Sequence, residues 1–316
     1  MSRSIFVALL VGTTAIAACS ESPGPQASAP PVPGDDGSPG GPDTPGPDPD
    51  PAPGPTPDPP WQWVPPVVPT TSPACGTAQP AAVGASYATA SGRSFHVWGP
   101  PQYDPNVRYP VVVAYHGWYA DGKGHQSWFE MEKSVNGEAF VVYPDSDGPT
   151  WDTSGTKDLA FFDDMIKQLG ETYCINPARV LAFGFSYGGR FVSHLACKRA
   201  GWVKAAAIGA AGYGGDGQKC GRVPVLFSHR TSDPDELIAW GRTAEQNWTT
   251  INGCSADTDV SDAAMNCATH RSCSAPGSVT FCEDTHVFEP PAPANWNHTV
   301  RDIYRAYTFQ WFKALP

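Results

Sequence analysis

Gly184-Phe185-Ser186-Tyr187-Gly188 is the stretch with the clearest chemistry. A serine hydroxyl is a weak nucleophile unless it is exposed, next to a base and near donors for an oxyanion. Glycines two before and two after Ser186 let the backbone turn sharply there. The apolar run Arg179 to Phe183 reads as a strand and Arg190 to Arg199 as a helix, so Ser186 stands at a strand-to-helix elbow. Acyl transfer also needs a base and an acid that orients it. Asp233 lies in Ser228-His229-Arg230-Thr231-Ser232-Asp233-Pro234, directly after the apolar run Val223 to Phe227, with Asp235 as its near competitor. The plain alternative for Asp233 is an Asp-Pro turn former. Two histidines follow, His286 and His298, separated by the Pro-rich insertion Pro290 to Pro293. The oxyanion donors expected are the backbone N–H of Tyr187 and that of Trp118, in His116-Gly117-Trp118. His116 is read as orienting that loop. His96, His125, His194, His229 and His270 are read as structural or solvated.

These residues need a scaffold that brings strand ends together. Pro110 to Tyr115 and Ala139 to Tyr143 are β-branched runs of the kind found in strands buried on both faces, with a polar, Gly-containing loop between them. Lys157 to Tyr173 has helical spacing, with Leu159, Phe162, Ile166 and Leu169 on one side. Val203 to Ile208, Val223 to Phe227 and Val279 to Cys282 read as strands, and Glu236 to Ile251 and Arg301 to Leu315 as helices. Strands alternating with helices predict an α/β fold with a mainly parallel sheet covered on both faces. Ligands of such sheets bind beyond the carboxyl ends of the strands, where Ser186 and Asp233 fall. The chain order Ser, Asp, His is that of α/β hydrolases, so a single catalytic domain of that fold is expected over 74–316.

The first 19 residues read as an export signal: Arg3, an apolar stretch from Ile5 to Ala18, and small residues before Cys19. That ending resembles a bacterial lipobox, which makes Cys19 the expected lipidation site and membrane anchor. Residues 20–73 hold 20 of the 35 prolines and no Lys or Arg. With so little apolar surface they are expected to form an extended, unfolded spacer. Trp61 and Trp63 within it either touch a sugar or pack where the spacer meets the domain. Residues 74–316 carry 24 acidic and 19 basic side chains, a balance that argues against nucleic-acid binding. The eight cysteines after Cys19 form an even set in an exported chain, expected as disulfides of undetermined pairing, with no spacing that suggests zinc. No cofactor or metal is expected, and the domain is expected as a monomer.

From about residue 94 onward the chain resembles the secreted esterases grouped as polyhydroxybutyrate depolymerase-like, feruloyl and acetylxylan esterases of carbohydrate esterase family one. The residues carrying the resemblance are Tyr115-His116-Gly117, Tyr143-Pro144-Asp145, Cys174 to Val180 running into Gly184 to Gly189, and Val223 to Phe227. Asn252-Gly253-Cys254, His298-Thr299-Val300 and Trp311-Phe312 complete the set. The resemblance implies an α/β-hydrolase fold and a Ser186, Asp233, His298 triad, and it selects His298 over His286. Two positions depart from the family pattern. Arg230 stands where a glycine is usual, and neither histidine follows a glycine.

The function expected is that of an extracellular serine carboxylic-ester hydrolase, tethered at the cell surface or outer membrane or else secreted. Its partners would be ester-bearing plant polysaccharides, with Trp118, Tyr119 and Tyr213 either a wall for an aromatic acyl group or core and rim residues. A polyhydroxyalkanoate depolymerase is the alternative within enzymes. A non-catalytic polysaccharide-binding lipoprotein on a retired hydrolase fold is the alternative of another class, motivated by Arg230 and the histidine spacing.

Overall fold

The computed structural model describes residues 71–212, 219–288 and 294–316. The expectations for Cys19, for residues 20–70 with Trp61 and Trp63, for Tyr213 and for Pro290 to Pro293 fall outside the described residues.

The β-branched runs form the middle of a ten-stranded sheet. In chain order the strands are β1 (Val83–Ala88), β2 (Ser94–Trp98), β3 (Tyr109–Tyr115), β4 (Phe140–Pro144), β5 (Ile175–Phe185), β6 (Val203–Gly209), β7 (Pro224–Arg230), β8 (Thr258–Asp262), β9 (Cys267–His270) and β10 (Ser278–Asp284). The sheet order is β1-β2-β4-β3-β5-β6-β7-β10-β9-β8. The six strands from β4 to β10 in that order run parallel. An antiparallel pair closes each edge. The helices are α1 (Gly122–Phe129), α2 (Met131–Val135), α3 (Lys157–Thr172), α4 (Tyr187–Lys198), α5 (Ile238–Ile251) and α6 (Asp302–Ala314).

Strand pleating sends alternate side chains to opposite faces, and here both faces are core. On β5, Val180 and Ala182 pack with Phe162 of α3, Phe191 of α4 and Trp248 of α5. Leu181, Phe183 and Phe185 pack on the other face with Phe129 and Met131 of α1 and α2 and Phe309 of α6. Each such side chain contributes about 1.5–3 kcal/mol when fully buried, so neither layer can be peeled from the sheet cheaply. The predicted face of α3 is the buried one, Leu159, Phe162, Ile166 and Leu169 together.

Two readings of the sequence need correction. The segment between β3 and β4, expected as a polar loop, carries α1 and α2 and brings Trp128 onto a helix. Two glycines and no strong apolar stripe hide α1, which is started instead by Asp121 accepting a hydrogen bond from the Gly124 N–H at 2.7 Å. Residues 20–73 were expected as spacer, yet Ser72 is buried, its Oγ between the Gly170 and Tyr173 carbonyls and the Ile175 N–H. A short polar side chain without periodicity gives no sequence signal for such a contact. The eight cysteines pair as Cys75–Cys174, Cys197–Cys220, Cys254–Cys273 and Cys267–Cys282. The last of these joins directly opposed residues of β9 and β10.

Candidate active site

Ser186 is the single residue between β5 and α4. Its φ of 54° and ψ of −123° lie where non-glycine residues are strained, at about 1–3 kcal/mol. The neighbouring glycines show what holds it there. A Cβ on Gly184 would stand 2.2 Å from the Gly188 carbonyl oxygen, and one on Gly188 would stand 2.3 Å from that of Tyr115. Strand and helix therefore meet closer than any side chain permits, and the turn thrusts Ser186 out, half-buried, at the end of the sheet.

The end of β7 supplies Asp233. Its Oδ1 accepts from the backbone N–H groups of Asp235 at 3.0 Å and Glu236 at 2.9 Å. The carboxylate that was read as either a turn former or a site residue thus makes the turn and faces the site at once. His298 sits between a 3-10 turn (Ala294–Asn297) and α6. Its Nδ1 lies 2.9 Å from Asp233 Oδ2 and 3.0 Å from Oδ1, and its Nε2 lies 2.9 Å from Ser186 Oγ. With the Asp233 side chain fully shielded, the consistent tautomer has Nδ1–H donating to the carboxylate, leaving Nε2 to accept from the serine hydroxyl. Phe185 leans against the imidazole, with centroids 4.8 Å apart.

The competitors' side chains do not join the Ser186, His298 and Asp233 hydrogen-bonded set. Asp235 is exposed and contributes only its N–H to Asp233. His286 is exposed and packs edge-on against Phe288, 4.8 Å between centroids.

The expected oxyanion donors lie near the end of β3 and the start of α4. Gly117 lies against Ser186, its position for a Cβ being 3.2 Å from the serine Cβ. Tyr187 opens α4, where a helix N–H has no intrahelical acceptor. His116 is fully buried, and burial pushes its pKa below the ordinary histidine value despite the acceptor at Gly117. The neutral ring donates from Nδ1 to the Gly117 carbonyl at 2.7 Å and accepts at Nε2 from the Ser146 N–H at 3.3 Å. Fixing the Gly117 carbonyl fixes the N–H of Trp118 on the opposite side of the same trans peptide. Trp151 holds the His116 carbonyl in turn, at 2.9 Å. Trp118 and Tyr119 are mostly exposed, their rings 4.9 Å apart.

Sequence reading missed the device that holds the His298 loop. Arg230 is buried at the end of β7, donates to Asp284 at 3.0 Å and to the Trp296 carbonyl at 2.9 Å, and lies 4.7 Å from the Phe288 ring. Arg301 grips the same Asp284 from the other side of His298, at 2.7 and 2.8 Å. Burial, the largest single influence, pushes the Asp284 carboxyl up, but the hydrogen bonds from Arg301, the His286 N–H and Arg230 outweigh it and hold it below the usual value. The only signal was negative: Arg230 where the family has glycine.

No family model matches the chain. It is 29% identical over 210 residues to feruloyl esterase C of Emericella nidulans, spanning 63% of this chain and 75% of that protein. It is 30% identical over 196 residues to a probable feruloyl esterase C of Aspergillus clavatus, spanning 58% and 70%. Among solved structures, the acetyl xylan esterase of Aspergillus awamori superposes with a TM-score of 0.54 at 15% identity, over 73% of this chain and 98% of that one. With a relative at this identity covered over more than two thirds of its length, and with the fold matched, the chain belongs to the feruloyl esterase C family, carboxylic ester hydrolases of the α/β-hydrolase fold.

Proposed function

We propose that the protein is an extracytoplasmic serine esterase that releases acyl groups from plant polysaccharide esters through an acyl-enzyme. The observation that carries this reading is the continuous hydrogen-bonded chain Ser186–His298–Asp233 at the ends of the parallel strands. Ser186 Oγ attacks the ester carbonyl carbon while His298 Nε2 takes its proton, and Asp233 stabilises the imidazolium through Nδ1–H. The N–H groups of Tyr187 and Trp118 receive the negative charge that develops on the carbonyl oxygen. Collapse expels the alcohol, which takes the proton from His298. Water, activated by the same histidine, then hydrolyses the acyl-serine. The acyl group lies toward Trp118 and Tyr119. Four disulfides, together with the apolar stretch Ile5 to Ala18 ahead of Cys19, support action outside the cytoplasm. The names of the relatives, feruloyl and acetylxylan esterases, support the substrate class.

The test is hydrolysis of methyl ferulate, acetylated xylan and oligomeric hydroxybutyrate by the full chain and by Ser186→Ala, His298→Ala and His286→Ala. Turnover of the first two should fall by about 10⁴-fold or more in Ser186→Ala and His298→Ala, and persist in His286→Ala. Turnover of hydroxybutyrate alone would make the protein a depolymerase. A folded wild type that neither turns over any ester nor reacts with a fluorophosphonate would make it a binding protein.

A further inference from the structure

A groove of about 830 Å³ opens beside His298. His298 and Thr299 border it, and Gly117, Trp118 and Tyr187 do not. One wall carries Trp128 and the other Phe288 and Trp296, with Asp235 at its edge and Asp302 ion-paired with Arg305 at 2.6 Å. Trp128 and Trp296 are 41% and 53% exposed, large indoles left open to solvent. Both walls are braced. Trp128 stands edge-on to Phe185, 5.1 Å between centroids, and Phe185 rests on His298. Phe288 and Trp296 meet edge-on at 5.7 Å, and Arg230 supports both, through the face of Phe288 and the carbonyl of Trp296.

We propose that this groove is the subsite for the alcohol half of the ester and that it takes a neutral oligosaccharide. The inference rests on the esterase reading, because it uses His298 as the proton donor to the leaving oxygen. That oxygen must lie within hydrogen-bond reach of Nε2, so whatever is attached to it continues past His298 into the groove, while the acyl half stays by the oxyanion donors. The lining then selects the occupant. A sugar ring presents a C–H face that packs on an indole and a rim of hydroxyls that donate to carboxylates, the combination offered here by Trp128, Trp296 and Asp235. A polyester chain has no donor for the Asp235 carboxylate. A uronic acid would bring like charge to Asp235. Arg230 acquires a purpose beyond holding His298: the same guanidinium fixes a sugar-facing wall relative to the base.

The experiment is a calorimetric titration of the full-length protein with xylotetraose, a ligand that carries no ester, and with xylotetraose bearing a glucuronic acid branch. Xylotetraose should bind saturably and shield indole fluorescence from acrylamide quenching. Trp128→Ala and Trp296→Ala should each weaken it about fivefold. Trp128→Phe and Trp296→Phe should recover part of the loss and control for folding. The branched acid should bind more weakly than the neutral ligand, and Asp235→Asn should narrow that gap. In hydrolysis, both Trp→Ala variants should lower the preference for acetylated xylotetraose over methyl acetate by a similar factor. No binding by the wild type, or binding that none of the four tryptophan variants alters, would overturn the proposal. Turnover of methyl ferulate without xylotetraose binding sinks the subsite and leaves the esterase; binding without turnover of any ester sinks the esterase and with it the assignment of the groove to a leaving group.

Discussion

The two halves of the site are built by different physics. The serine half is fixed by close packing: Gly184, Gly188 and Gly189 let β5, α4, the end of β3 and Ala211 just after β6 approach to distances no Cβ allows. No charge takes part in that packing. The histidine half lies on a loop and is fixed by polar side chains. Arg230 holds the Trp296 carbonyl, Asp284 holds Arg301, and Asn297 Oδ1 accepts from the Phe288 N–H at 2.9 Å and from Ser232 Oγ at 3.1 Å. The proposed proton transfer requires both halves to meet within a few tenths of an ångström. One is positioned by what is absent from the side chains and the other by what is present in them, and the two should fail differently.

The hardest break is on the serine side. In Gly188→Ala the new Cβ would meet the carbonyl oxygens of Tyr115 and His116 at 2.3 and 2.5 Å, both backbone atoms in buried positions. Neither can rotate away, so α4 must shift and carry Ser186 with it. Activity should fall about 10²–10³-fold and stability by about 1–3 kcal/mol, measured by p-nitrophenyl acetate hydrolysis and urea unfolding. A variant of near wild-type activity would mean that the elbow tolerates displacement and that backbone crowding is not what positions the nucleophile.

On the histidine side the break should be milder and more selective. Arg230→Met keeps the bulk beneath Phe288 but removes the bonds to Asp284 and Trp296. Asp284 keeps Arg301, so its charge is not orphaned, and the loop loosens rather than unfolds. The expected result is a fall of about 10–10² in kcat with a smaller change in KM for a small ester. Arg230→Lys should not restore it, because an ammonium cannot donate to both partners and lie flat on the ring. Equal kcat in Arg230→Met and wild type would show that Asn297 and Arg301 suffice. A loss confined to stability would make Arg230 a core residue only.

The same contrast governs what could be read in advance. Ser186 was legible because its constraint is local: glycines at fixed offsets, a strand before and a helix after. The central strands β3 to β7 were legible because burial on both faces writes continuous apolar runs. The pair Asp233 and His298 was harder, since position after a strand nominates several residues and only a fold separates His298 from His286. The Arg230–Asp284–Arg301 clamp was not legible, its members being 54 and 17 residues apart with no spacing rule between them. Edge strands β1 and β8 escaped because exposed residues on both faces leave no alternation to detect. Trp128, Phe288 and Trp296 gave no warning that they share a groove.

The smallest effect expected concerns acid, and it tests whether the two halves also differ in how they titrate. Behind the site lie His116, His125 and His229, each held below the ordinary histidine value, with burial the largest cause. His125 is extreme: fully buried, stacked on Phe129 at 4.5 Å, with nearby His116 and Arg305 opposing its charge as well. Glu132, the nearest acid on α2, is engaged by the Tyr143 hydroxyl at 2.6 Å. The unfolded chain protonates these rings near pH ~6.5 and the folded one only lower. Between those values the unfolded state binds more protons, so stability is complete above about pH 6.5 and declines as pH falls through the folded values. Asp284 adds its own loss only lower, once pH drops through the carboxylate range, because its folded value is depressed. His125→Phe keeps the stacked ring and removes one of these protons. The slope of unfolding free energy against pH just below 6.5 should become shallower by up to about 1.4 kcal/mol per pH unit, with hydrolysis at neutral pH little changed. An unaltered slope would mean that His125 takes up its proton within the fold, and that the aromatic cluster of α1 opens before the strands behind the triad do.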